Sequence, residues 1–306
     1  MRRFFALVLS FCLLLAAVSV TAFAWGSATH AYIAVKVGKL WPLMNANERY
    51  GIMAADLFNY NFQYYFDPTV KFYTHGTPGG EGFMGVWANA RWWGHQKSLA
   101  FGFVAHNEVW GCDFTAHISG LTYGQGEGYV VAKAKLLMPV MAALLSDHGI
   151  SLDDPVLLEV CHNVVEAAGD ILILNADQKI GEKIISACLL RSNNFPGLLA
   201  SAMGSEWKDE VVAAEKEFRR MMILYGAALT QGEEPAVKAF AEQLAQLGVE
   251  LIKFLGGPDI PLDLAKGLAE YGLRQALILC RPDYLREVNA TASFVRANLA
   301  AHGVRY

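Results

Sequence analysis

The sequence predicts an all-α chain folded as one multi-helix domain, and three observations carry that expectation. Apolar residues recur at three- and four-residue spacing over long stretches. Alternating strand patterns with hairpin turns are scarce. Helix-start signals precede several of the periodic runs, as at Ser151-Leu152-Asp153-Asp154-Pro155 and at Ser205 before Glu206.

Taken in chain order, an opening helix is expected to carry His30 in its first turns. The stretch from Phe58 to Gly94 is the least helical. It holds an aromatic cluster from Phe58 to Phe66 and a flexible segment, Gly76-Thr77-Pro78-Gly79-Gly80-Glu81-Gly82. Leu99 to Ala105 is nearly all apolar, so it reads as a buried element. Helical periodicity is clear from Val156 to Ile173, Glu206 to Leu229, Ala236 to Leu255 and Leu262 to Leu279. No internal repeat or linker divides the chain, and the residues from about 180 to 306 read as further helices packed on the first group.

The start of the chain reads differently. Met1-Arg2-Arg3 is basic, Phe4 to Val20 is almost unbroken apolar, and Ala22-Phe23-Ala24 is a small-residue cleavage site. That is the pattern of a secretory signal peptide over 1–24, leaving a mature chain of 25–306 that is secreted or periplasmic. An uncleaved anchor would show the same apolar run, but the A-x-A ending favours cleavage. Cleavage would remove two arginines and no acid, taking the formal charge from −4 to −6. Net acidity argues against a stable nucleic-acid partner bound through a basic face. Four cysteines remain, Cys112, Cys161, Cys188 and Cys280, with no CxxC pair. They are too few to staple a chain of this length, and they read as buried apolar residues or as one or two optional disulfides.

Of the eight histidines, those with acidic company stand out. His162 and Glu166 are four apart in a confident helical stretch, so both side chains lie on one face a turn apart. Imidazole and carboxylate are common zinc ligands, and the apolar flanks make an unpaired pair costly. Asp113 and His117 repeat that spacing, and His106 precedes them. Asp56 and His75 complete the acidic and imidazole groups. Trp25 would become the first mature residue, and its free amine and carbonyl oxygen can close a five-membered chelate on a metal. His95 has no counterpart in such a set and reads as a structural residue or one that orients a ligand, His148 reads as a surface residue at a helix C-terminus, and His302 lies in the tail. Asp170, one turn after Glu166, reads as either a ligand-orienting or a capping carboxylate.

The ordered set Trp25, His30, Asp56, His75, His106, Asp113, His117, His162 and Glu166 resembles the ligand order of the zinc-dependent phospholipase C family, which is related to the S1/P1 nucleases. The resemblance covers residues 25–166 and implies a secreted helical fold holding up to three Zn2+. Trp25 and His30 would hold one zinc of a close pair, and Asp56, His75 and His106 the other, with Asp113 bridging. His117, His162 and Glu166 would hold the third. It further implies hydrolysis of a phospholipid or other phosphodiester, with transient contact to a membrane surface, and with Asp56 as the catalytic base. The aromatic residues 58–66 would wall the head group or acyl chain, or stack a nucleobase. Alternatives are a nuclease for single strands and a catalytically silent zinc-binding envelope protein. The H-x-x-x-E pair resembles the phospholipases, whereas the Trp25–His30 gap resembles the nucleases. One departure is plain. His106 and Asp113 are seven apart where the family has four, and on a straight helix seven residues rise about 10.5 Å, too far to share one ion. A bulge near Trp110-Gly111 is expected to close that distance.

Overall fold

The computed structural model describes residues 25–39, 41–60, 64, 67–91 and 94–306. The proposed signal peptide at 1–24, part of the 58–66 aromatic stretch, and Trp92-Trp93 lie outside them. Among the described residues there are helices and turns but no strand, and only Thr77 and Gly80 pair as an isolated antiparallel bridge. The all-α expectation holds.

The first helix, α1 (Ser27–Val37), is buried without interruption from Ala28 to Ala34. A helix that is small or apolar on every side belongs in an interior. Around it pack α2 (Pro42–Met53), α5 (His95–His106), α7 (Asp154–Ile173), α8 (Ile180–Leu190) and α13 (Tyr284–Ala301). A 3₁₀ turn, Ala54–Tyr60, continues from α2, and α3 (Pro68–Thr74) and α4 (Met84–Asn89) follow. The stretch with the weakest helical signal therefore contains two short helices. In α3 the start is chemically clear, because Asp67 accepts hydrogen bonds from the Thr69 and Val70 amides and Pro68 opens the first turn.

Helices α2 and α5 cross backbone to backbone, and glycine permits it. A Cβ on Gly102 would lie 2.0 Å from the Glu48 carbonyl oxygen, and one on Gly51 would lie 2.1 Å from that of Leu99. No larger residue fits either position without parting the helices.

The long helices α6 (Tyr129–Asp147) and α7 lie side by side, and α11 (Glu233–Phe254) and α12 (Leu262–Cys280) form a pair against them. Helix α9 (Phe195–Met203) leads into α10 (Lys208–Leu229), which backs the 3₁₀ turn at residues 54–60. The start signals need one amendment. Asp153 does stand at the α7 N-cap with Pro155 behind it, but its side chain makes no capping bond. Ser205 itself opens a 3₁₀ turn, Ser205–Trp207, before α10 begins.

One continuous buried cluster runs from Trp25 to Val304. The second half of the chain is thus part of the same core as the first. All four described cysteines are free and buried, so the apolar reading holds and the disulfide reading does not. His148 caps α6 in the open, and His302 is exposed with its ring stacked on Trp110.

Candidate metal centre

Two groups of histidine and carboxylate side chains form inside this frame. The first gathers His30 from α1, Asp56 from the 3₁₀ turn, His75 at the C-cap of α3, His106 at the end of α5, and Asp113. His30 Nε2 is 2.9 Å from Asp113 Oδ1, and His106 Nε2 is 2.7 Å from Asp113 Oδ2. Asp56 Oδ1 is 3.2 Å from His75 Nε2 and 3.5 Å from His106 Nε2. Asp56 Oδ2 faces His30 Nδ1 at 3.9 Å. The two carboxylates therefore stand among three imidazoles, each sharing neighbours with the other.

How His106 and Asp113 meet differs from the expected bulge. Helix α5 ends at His106 rather than running on. The Asn107 side-chain oxygen then accepts from the amides of Val109, Trp110 and Gly111, folding the chain into a tight turn. A Cβ on Gly111 would lie 2.6 Å from the carbonyl oxygens of both His106 and Asn107, so glycine is needed there for close approach. The turn brings Asp113 back across the end of α5. The straight-helix rise never applies.

The second group is His117, His162 and Glu166. His117 lies in a π-turn, Phe114–Ile118, a rare geometry that recurs at functional sites. His162 and Glu166 sit one turn apart on α7, as their spacing predicts, with His162 Nε2 2.7 Å from Glu166 Oε1. His117 Nε2 faces His162 Nε2 at 3.3 Å. Ligating atoms of these three residues all lie within 4.8 Å of one another, as do those of Asp56, His75 and His106.

Outer partners fix the rings. His106 Nδ1 donates to the Ile52 carbonyl at 2.8 Å, so the neutral ring carries its lone pair on Nε2, toward the carboxylates. His117 Nδ1 is 3.0 Å from Glu108 Oε1, and Glu108 Oε2 is 2.9 Å from Lys71 Nζ. Asn59 Nδ2 donates to Asp56 Oδ1 at 2.9 Å, and the Thr74 hydroxyl is 2.7 Å from His75 Nδ1.

The donor set fits a bound cation. Buried His30 Nδ1, His106 Nε2 and Asp113 Oδ2 have no hydrogen-bond partner. His106 Nε2 and Asp113 Oδ2 are close enough for such a bond but misaligned for it. A cation at a point between them would partner both. Buried polar atoms left this way are costly unless a cation occupies that point.

Charge agrees with geometry. Burial opposes protonation of His106, yet Asp113 and Asp56 override it and hold the imidazole up at about 9. Burial likewise pushes Asp113 up, but His106 and His30 bring it well below the usual carboxylate range. A proton on His106 thus takes the place a cation would fill. Glu166 is pushed well above its ordinary value by burial and by the neighbouring carboxylates Asp56 and Asp113. Burial also opposes the His117–Glu108 pairing, which nonetheless holds Glu108 down at about 2.

Trp25 is anchored beside the first group. Its indole nitrogen donates to the Cys112 carbonyl at 2.9 Å and to Thr115 Oγ1 at 3.1 Å, and its ring stacks on Tyr129. Trp25, Asp56, Tyr60 and Glu166 line one cleft of about 640 Å³, so both groups border the same space. Asp170, the ambiguous carboxylate, is a cap. It accepts from the Ala28 amide (2.6 Å), the Thr29 amide (2.8 Å) and hydroxyl (2.6 Å), and the Tyr225 hydroxyl (2.7 Å). It holds the start of α1 against α7.

Cys112 also approaches the first group. Burial, reinforced by Asp113, pushes its thiol well above the ordinary value, and Sγ donates to the His106 carbonyl at 3.3 Å. It is a packed thiol behind the site. Sequence reasoning had no signal for Glu108, Asn59 or the Ile52 carbonyl, since their roles arise only from tertiary packing. His95 is exposed, its Nδ1 3.0 Å from the Asn47 amide nitrogen.

No family model, curated protein or solved structure matches the chain.

Proposed function

We propose that the protein is a zinc-dependent phosphodiesterase of the phospholipase C type, acting outside the cytoplasm after cleavage before Trp25. One observation carries the reading: eight histidine and carboxylate side chains, scattered from His30 to Glu166, gather into two groups on one cleft and leave buried ligand atoms unpartnered. Their order along the chain resembles that of the phospholipase C family. His30, Asp56, His75, His106 and Asp113 would hold a pair of ions, with the terminal amine and carbonyl of Trp25 completing it. His117, His162 and Glu166 would hold a third.

Bound zinc supplies positive charge for the phosphate oxygens and acidifies a water toward neutrality. The remaining work falls to the chain. Asp56 is the base that accepts the proton of the attacking water. It suits that role because Asn59 fixes Oδ1 while the residue borders the cleft, whereas Asp113 is fully enclosed. The Ile52 carbonyl and Glu108 keep the rings of His106 and His117 turned correctly. The Trp25 ring, locked in the core, keeps the terminus from fraying.

The test combines elemental analysis, amino-terminal sequencing and product analysis of the purified protein. Expected are about three zinc ions per chain, Trp25 as the first residue, and phosphocholine released from phosphatidylcholine. Fewer than two zinc ions per chain supports a catalytically silent protein instead. Release of 5′-nucleotides from single-stranded DNA, with no action on phospholipid, makes it a nuclease.

A further inference from the structure

Beside the metal cleft lies a second hollow, enclosed by α6, α7, α11 and α12. It takes in about 790 Å³ of space, part of it open to solvent. Asn163 is the one polar side chain among the described residues that line it, and no charged side chain does. The hollow exists because the facing surfaces lack bulk. Ala245 and Gly248 on α11 and Ala265 and Ala269 on α12 line it with small side chains. Ala245, Ala265 and Ala269 belong to a small buried cluster separate from the main core.

The two hollows share a wall. Asn163, Leu244 and Leu247 line both. On α7 the sequence of side chains makes the same point, since Glu166 faces the metal cleft, Val160 and Val164 face the apolar hollow, and Asn163 lies between. The Asn163 amide nitrogen donates to the Glu159 carbonyl of its own helix at 2.8 Å.

We propose that this hollow seats one hydrocarbon chain of a lipid phosphodiester whose phosphate lies in the adjoining metal cleft. The proposal rests on the phospholipase reading and adds where in the fold the substrate's chain lies. A wall whose one polar side chain is Asn163 offers a sugar or base little, and burying their polar atoms there is penalised. A methylene gains at every step, by about fourfold in affinity for each one buried.

The test is calorimetric titration of the purified protein with hexyl, octyl and decyl phosphocholine below their aggregation concentrations. Affinity is expected to rise by roughly tenfold or more between successive members, since each adds two methylenes. A Cβ on Gly248 would meet nothing within 4 Å, so Gly248→Leu adds bulk at the hollow without a clash. That variant is expected to flatten the chain-length dependence while leaving hydrolysis of bis(4-nitrophenyl) phosphate, which has no alkyl chain, unchanged. Affinity independent of chain length in the unaltered protein overturns the proposal, with no variant needed. So does a steep dependence that Gly248→Leu leaves intact. A steep dependence abolished by Gly248→Leu, in a protein that cleaves no phosphodiester, overturns the hydrolase reading and leaves the chain site standing.

Discussion

His106 joins the two halves of the first group, since its Nε2 faces both Asp113 and Asp56 while its Nδ1 is held by the Ile52 carbonyl. Its fate with pH follows from that position. In the metal-free chain it titrates at about 9, against 6.5 for an ordinary imidazole, so the folded form binds the proton more tightly than the unfolded form. The resulting stability is complete below about 6.5 and is lost as pH rises through 9. Glu166 and His117, also raised, push in the same direction. The metal-free melting temperature is therefore expected to fall between pH 6.5 and 9. Added zinc reverses the trend, because it needs the same nitrogen unprotonated. A metal-free melting temperature that holds level or climbs over that window contradicts this account. Asp113→Asn should lower zinc content by at least one ion per chain in elemental analysis, because Asp113 faces both His30 and His106. An unchanged metal count removes Asp113 from the ligand set.

At the scale of elements, the site depends on how closely α2 and α5 approach. The Gly51/Gly102 crossing sets the height of the Ile52 carbonyl against His106. Gly102→Ala forces a methyl into the Glu48 carbonyl, and overpacking of this kind costs about 1–3 kcal/mol. Because the displaced helix also carries an outer partner of a ligand, zinc affinity should fall by about 10–100-fold. Thermal unfolding and competition with a chelator dye measure the two effects. A variant with lowered stability but unchanged zinc affinity would show that the crossing serves packing alone. Helix α7 shows what was legible before the structure. His162 and Glu166 meet because an α-helix brings fourth neighbours together, and periodicity alone places them on one face. The junction between His106 and Asp113 was not legible in the same way. Its path is set by the three bonds to the Asn107 side chain, a turn chemistry that helical spacing does not encode. Asp170 lies on the same stripe as His162 and Glu166, but that its role is to cap α1 emerges only once α1 is packed there.

For the whole molecule, helical content and the acidic and imidazole set could be read from residue pattern, whereas the work of the C-terminal helices could not. They carry no motif, yet α10 supplies Tyr225 to Asp170, and α13 supplies Glu287, which accepts from the amides of Leu121, Thr122 and Tyr123 behind the π-turn. Long-range contacts of this sort leave no local trace. They also tie metal occupancy to global stability. A ligand bound only by the folded state adds about 2.7 kcal/mol at a hundredfold excess over its Kd. Chelator treatment should therefore lower the melting temperature of the whole chain in one cooperative step. A transition that splits, with the C-terminal helices unaffected, would show two independent units.

The anchoring of Trp25 has a consequence for how the protein is made. Its ring packs edge-on against Tyr284, the Thr29 hydroxyl lies 2.6 Å from that of Tyr284, and the Thr115 hydroxyl lies 2.8 Å from that of Thr291. Residues 25, 29 and 115 thus find partners at positions 284 and 291, far along the chain. Contacts so distant close late, and the nascent chain must keep its apolar α1 out of trouble until α13 emerges. Chains halted before Tyr284 should be digested throughout by a protease that leaves the finished molecule whole.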